Sequence, residues 1–140
     1  MSGRCFLDTN IFIYSIDRRD PAKEQRATEL IRSSHRSLKG VVSFQVVQEF
    51  FNVAPKRLLV PMSLELAQLY LERVFLPLLR VHSSARLYAE ALALQSRYQL
   101  SWFDSLIVTA AIEAACAILY SEDLQHGQRF GDLQIQNPFL

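Results

Sequence analysis

Four carboxylates stand at the junctions of apolar segments: Asp8 in "FLDTNIFIYSID" (6–17), Glu49 in "FQVVQEFFNVA" (44–54), Asp104 in "SWFDSLIVTAAIEAA" (101–115) and Asp123 in "ILYSEDLQ" (118–125). Asp8 is the hardest to read as a surface charge. It sits between Phe6–Leu7 and Ile11–Phe12–Ile13, and a buried carboxylate keeps its charge only with a cation or several donors beside it. Crowded acids repel: at about 4 Å and an effective dielectric near 20, each pair costs roughly 4 kcal/mol. A divalent cation relieves that repulsion, and ligation by carboxylate oxygens suits Mg²⁺ or Mn²⁺ rather than zinc. The natural chemistry is phosphodiester hydrolysis, where the metal lowers the pKa of water and clamps the attacking and leaving oxygens.

Each acid also has an ordinary reading. Asp8 or Thr9 could cap the helix that follows. Glu49 shares a helix face with Gln45, Gln48 and Asn52, which together read as a solvated stripe. Asp104 follows Ser101 by three residues, the spacing of a capping box. Asp123 could be a turn acid beside Glu122. Taken singly, none of the four decides the matter.

The elements that would position these acids alternate between short apolar strands and helices. Strands are expected at 4–7, 40–44, 78–82 and 117–121, with a fifth at 133–136. A short helix should begin near Asn10, and Asp20–Pro21 marks another start, with Asp as N-cap and Pro at the first helical position, running to about Ser34. Further helices are expected over 44–54, from Ser63 to about Phe75, from Ser83 or Ser84 to about Tyr98, and over 103–116, with Pro55 and Pro61 punctuating the loop after the third helix. Strands joined by helical crossovers predict a parallel sheet covered on both faces, a three-layer α/β/α fold with four or five strands. Ligands in such folds sit beyond the carboxyl ends of the strands. Asp8 and "SED" (121–123) both fall there.

The 140 residues, 50% hydrophobic, are expected to form one domain over 1–140, with a single core. Met1 to Arg4 leads straight into a strand-like stretch with no leader pattern. The most apolar segment, 106–120, is short for a bilayer and carries Glu113, so no membrane role is expected. Cys5 and Cys116 stand alone and His35, His82 and His126 are scattered, which fits a reduced, cytoplasmic setting and no zinc site. The net charge of +1 conceals an asymmetry: residues 1–60 carry ten Lys/Arg against six Asp/Glu, and residues 61–140 five against eight. The basic runs "DRRDPAKEQR" and "PKR" would suit a phosphate-facing surface, or simply solvated helix faces.

Together the four segments resemble the PIN domain, and within it the VapC-like toxins of toxin–antitoxin pairs. "FLDTNIFIYSID" resembles the first motif of that family, "SFQVVQEFFNVA" the second, "SWFDSLIVTAAIEAA" the third, and "ILYSEDLQHGQRFGDLQIQNPF" the last, so the resemblance spans residues 5 to 139. It implies a Mg²⁺- or Mn²⁺-dependent endoribonuclease. Asp8 and Asp104 would be primary metal ligands, Glu49 and Asp123 would complete the pocket directly or through water, and Asn10 and Ser121 would orient the carboxylates. One departure is visible: Ser121, Asp123 and Gln125 stand where many members carry Thr-x-Asp-x-Asp, so one carboxylate is absent. The resemblance also implies RNA as substrate, a cognate antitoxin whose extended segment lies along a groove near the acids, and a homodimer. The apolar surplus of residues 64–79 points the same way.

Three rivals share parts of this pattern. An aspartyl-nucleophile phosphatase also places Asp after strand one but generally has a second Asp two residues on, where Asn10 stands. A structure-specific DNA nuclease would share the acids but usually needs added elements to clamp a duplex. A non-catalytic PIN scaffold binding RNA or protein could dispense with the acids, and all four are present.

Overall fold

The computed structural model describes residues 3–58 and 61–140. The expected entry from Met1 and Ser2 into the first strand, and part of the loop between Pro55 and Pro61, lie outside those residues. Strand β1 (Arg4–Leu7) passes directly into helix α1 (Thr9–Ile16), and α2 (Pro21–Ser37) follows. Next come β2 (Gly40–Ser43), α3 (Phe44–Arg57), α4 (Leu64–Tyr70), β3 (Leu79–Val81), α5 (Ala85–Tyr98) and α6 (Trp102–Glu113). The chain ends with β4 (Cys116–Tyr120), β5 (Arg129–Phe130) and β6 (Leu133–Gln136).

The starts of the helices follow their capping residues. The Asp20 carboxylate accepts from Lys23 N, with Pro21 in the first turn where a missing N–H does no harm. Ser63, Ser84 and Ser101 each accept from the N–H three residues on. Three ends differ from expectation, the first being α2, which runs to Ser37 rather than to about Ser34. Helix α3 continues through Pro55 to Arg57, because a proline in the last turn deletes one ladder bond, and the ladder resumes with Leu58 N donating to Ala54 O at 3.0 Å. Helix α6 stops at Glu113 rather than 116, where Ala115 takes a left-handed conformation (φ 57°) and turns the chain into β4.

The sheet order is β3-β2-β1-β4-β6-β5, and every neighbouring pair is parallel except β5–β6. The expected parallel sheet of up to five strands is present, and the two-residue β5 adds a sixth, antiparallel edge. Helix α1 packs with α2 and α3, and α5 packs with α6. From β1 the chain steps outward to β2 and β3, then returns across the sheet to β4 on the other side of β1. Right-handed crossovers running in opposite directions place their helices on opposite faces and open a crevice at the carboxyl ends of the two strands where the direction reverses, here β1 and β4.

The core runs along both faces of the sheet, with Phe6, Leu7, Val41, Val42, Leu119 and Ile135 fully buried. After Tyr70 the fourth helix widens into a π-helical turn, Leu71–Phe75, which carries Phe75 into an aromatic cluster with Phe12 (4.7 Å), Phe50 (5.0 Å) and Tyr70 (5.3 Å). Gly40 is required by close approach: a Cβ there would lie 2.3 Å from that of Ser34 on α2. No helix among the described residues is long and apolar enough to cross a membrane.

Candidate active site

Asp8 is both a helix cap and the deepest acid of the crevice. Its backbone N–H donates to Tyr120 O of the neighbouring strand at 3.0 Å, which fixes β1 and β4 side by side where both end. Its Oδ1 accepts from Thr9 N at 2.7 Å and its Oδ2 from the Ser121 hydroxyl at 2.8 Å. The side chain is buried. Burial pushes its pKa up from 3.8 to about 6; the hydrogen bonds from Ser121 and Thr9 pull the other way, and the charges of Glu49 and Asp123 add to the rise. The capping and site readings of Asp8 are therefore compatible.

Ser121 is fully buried and serves two acids at once. Its hydroxyl proton goes to Asp8, while its oxygen accepts from Asp123 N at 3.2 Å and Leu124 N at 3.4 Å. Asp123 stands at the open rim, where its Oδ2 accepts from Asn10 Nδ2 at 3.0 Å. Its pKa is raised by partial burial and by the Glu122 and Asp104 carboxylates, with Glu49 contributing and Asn10 opposing. Asn10 lies in the first turn of α1, but Asp8 is the cap, so the Asn10 side chain is directed to the acid rather than to the helix end.

Glu49 arrives from α3, half-buried and held at both oxygens. Thr9 Oγ1 donates to Oε2 at 2.9 Å, and Gln45 Nε2 donates to Oε1 at 2.6 Å. Asp104 sits in the first turn of α6, half-buried, and its backbone N–H donates to Ser101 Oγ at 3.1 Å. Ser101 is thus the cap. The reciprocal bond of a capping box, from Ser101 N to the Asp104 carboxylate, is not made among the described residues. Asp8 lies within electrostatic reach of Glu49 and Asp123, and Asp123 within reach of Asp104 and Glu49.

All the donors facing this crevice are oxygens of carboxylates, hydroxyls and amides, the set that suits a hard divalent cation. Among the described residues, no three His, Cys, Asp or Glu side chains already stand at the spacing of a ligand set. The acids are held instead by Ser121, Thr9, Asn10 and Gln45, one protein donor or two for each of Asp8, Glu49 and Asp123. Donor chemistry and mutual repulsion fit a divalent cation.

Several neighbours are not apparent from sequence patterning. Thr9 and Gln45 bind Glu49, although Gln45 reads as one member of a solvated stripe and is in fact buried; the only sequence signal is its i,i+4 spacing from Glu49. Glu122 is held by Tyr14 OH (2.6 Å) and Lys23 Nζ (2.6 Å), with Lys23 also over the Tyr14 ring. Burial alone would raise the Glu122 pKa, yet these donors hold it below the usual value. The basic run in the first half is largely engaged in internal contacts. Arg19 forks onto Asp17 at 2.8 Å through each of two nitrogens, Arg57 approaches Asp17 at 3.8 Å, and Arg26 donates to Pro138 O. Those residues are structural ties before they are a phosphate surface.

A model of the PIN domain family matches residues 5–129, and the chain belongs to that family. Among solved structures it is similar to VapC20 of Mycobacterium tuberculosis, described as a toxin that cleaves the sarcin–ricin loop. The TM-score is 0.63 at 20% sequence identity, over 85% of this chain and 89% of that one. No curated protein sequence matches.

Proposed function

We propose that the chain, as one nuclease domain over residues 1–140, is a divalent-metal-dependent endoribonuclease, the toxin of a toxin–antitoxin pair. The observation that carries this reading is Asp8, a buried carboxylate with a raised pKa at the switch point of a PIN fold, facing Glu49 and Asp123. The likeness in fold to an RNA-cleaving toxin supports RNA over DNA as the substrate.

Asp8 and Asp104 would hold Mg²⁺ or Mn²⁺ directly, and Glu49 and Asp123 would complete the pocket. When bound, the cation supplies a more acidic water and charge neutralisation at the phosphate. The chain's own residues do the positioning. Ser121 and Thr9 N hold both oxygens of Asp8, Asn10 aims Asp123, and Thr9 with Gln45 fixes Glu49. Burial around Asp8 lowers the local dielectric, which strengthens its hold on any cation.

The reading extends to partners. Leu64, Leu66 and Leu69 on the fourth helix and Leu76 just past the π turn stay exposed, an apolar surface that a homodimer would cover. A cognate antitoxin would lie along a groove near the acids. Cytoplasmic action belongs to the same proposal, in keeping with two free cysteines. Cleavage of a panel of structured RNAs tests the proposal. We expect cutting with Mg²⁺ or Mn²⁺ and none in EDTA. Equal cutting in EDTA, or intact RNA across the panel, would contradict it.

A further inference from the structure

The carboxamide of Gln45 links one of the four acids to the helix that carries another. Its Nε2 donates to Glu49 Oε1 at 2.6 Å and to Phe103 O at 3.2 Å, so one amide links the middle of the acidic turn of α3 to the carbonyl immediately before Asp104 on α6. Both partners are acceptors, which fixes the amide with its nitrogen toward them. Gln45 is 4% exposed, and its Oε1 is buried with no hydrogen-bond partner among the described residues. A glutamine at this position therefore leaves an acceptor unsatisfied, which an apolar side chain of the same length would avoid. The amide offsets that cost through the two bonds it donates, one of them to a carboxylate. What it achieves is geometric: with Thr9 on the other oxygen, it locks the rotation of the Glu49 carboxylate and ties it to the helix that carries Asp104.

We infer that Gln45 is a positioning residue, which sets the distance and orientation of Glu49 relative to Asp104 for the metal-dependent cleavage proposed above, the reading on which this inference rests. Removing the amide frees Glu49 to turn toward solvent. Partners that orient ligating groups typically contribute on the order of 10–100-fold in metal affinity or activity.

Gln45→Met keeps the length and apolar body and deletes both donors. Two measurements on parent and variant decide the inference: steady-state RNA cleavage in Mn²⁺, and Mn²⁺ binding without RNA, followed by the electron spin resonance of the free ion. The variant should lose roughly 10–100-fold in kcat with KM changed less than about threefold, and bind Mn²⁺ about tenfold more weakly. Its melting temperature in EDTA should fall by no more than a few degrees, so that at 25 °C both proteins are folded and a purely structural role would leave Mn²⁺ affinity unchanged. Parental kcat together with parental Mn²⁺ affinity would overturn the inference and leave the nuclease reading standing. If the parent cleaves no RNA, that reading fails and the Mn²⁺ titration still decides: weaker binding by the variant supports Gln45, and equal binding overturns it. A parent that binds no Mn²⁺ overturns both. Should the variant not fold, nitrogen-15 spectra of the parent give the answer. The Gln45 amide protons should be strongly protected from solvent exchange, and exchange as fast as that of an exposed glutamine would refute the linkage.

Discussion

Asp8→Asn should stabilise the metal-free protein at neutral pH while abolishing its activity. The folded-state pKa of Asp8 is about 6, against 3.8 for the unreacted side chain, so the ionised carboxylate works against folding. The penalty is absent below about pH 4, where the group is protonated in both states. It grows as the pH rises from 4 to 6, because the unfolded chain ionises first, and is complete above about pH 6. A rise of this size corresponds to about 3 kcal/mol. Asn is nearly isosteric with a protonated Asp, and its Oδ1 still accepts from Thr9 N, so up to that amount is recovered. In a chain of this length it amounts to a melting temperature higher by up to about 10 °C. Thermal unfolding of parent and variant in EDTA at pH 4 and pH 7.5 measures it; the difference between the two proteins isolates Asp8 from the other acids that titrate in this window. The two should melt together at pH 4, and the variant later at pH 7.5. RNA cleavage by the variant should fall by several orders of magnitude. A variant that melts earlier than the parent at pH 7.5, or by the same margin at both pH values, would refute the reasoning.

Other perturbations separate neighbouring roles. Ser101→Ala removes the cap of α6 and should lower stability by about 1 kcal/mol with cleavage intact, whereas Asp104→Asn should leave the metal-free melting temperature nearly unchanged and remove most activity; the two melting curves and the two cleavage rates, read side by side, settle which residue caps and which binds. Added Mg²⁺ should raise the melting temperature of the parent more than that of Asp8→Asn or Asp104→Asn, measured by calorimetry at fixed pH. Lys23→Met breaks a part-exposed ion pair and should cost no more than about 1 kcal/mol, checked by urea denaturation. Leu66→Glu combined with Leu69→Glu should turn a dimer seen by sedimentation at tens of micromolar into a monomer with unchanged melting.

The alternation of strand and helix was legible because each strand is a short apolar run and each helix start carries its own signal, such as Asp20–Pro21 or Ser101. The carboxyl ends of the strands followed from that order, and with them the address of Asp8 and Asp123; the switch point between β1 and β4 came only with the strand order. Helix ends were less legible. Pro55 reads as a breaker, but in a final turn it deletes only one bond, and nothing in "EAAC" announces that Ala115 adopts a left-handed conformation. Strand β5, with two residues, has no periodicity to detect. Around the acids, the identities of the carboxylates stand out against apolar neighbours, whereas their donors do not. Thr9 and Gln45 matter through tertiary contacts to an acid on another element or to a carbonyl 58 residues away. Glu122 looks like an equal of Asp123 in the sequence, and only the Tyr14 and Lys23 contacts show it turned away into an ion pair.

On the proposed reading, four acids from four elements converge on a divalent cation. A crystal of the protein grown with Mn²⁺ and measured at a wavelength where manganese scatters anomalously tests it directly. An anomalous peak is expected in the crevice between β1 and β4, about 2.1 Å from oxygens of Asp8 and Asp104, with Glu49 or Asp123 reached directly or through water, and with loss of that peak in Asp104→Asn. A crevice without a peak at saturating Mn²⁺, in a preparation that cleaves RNA, would contradict it.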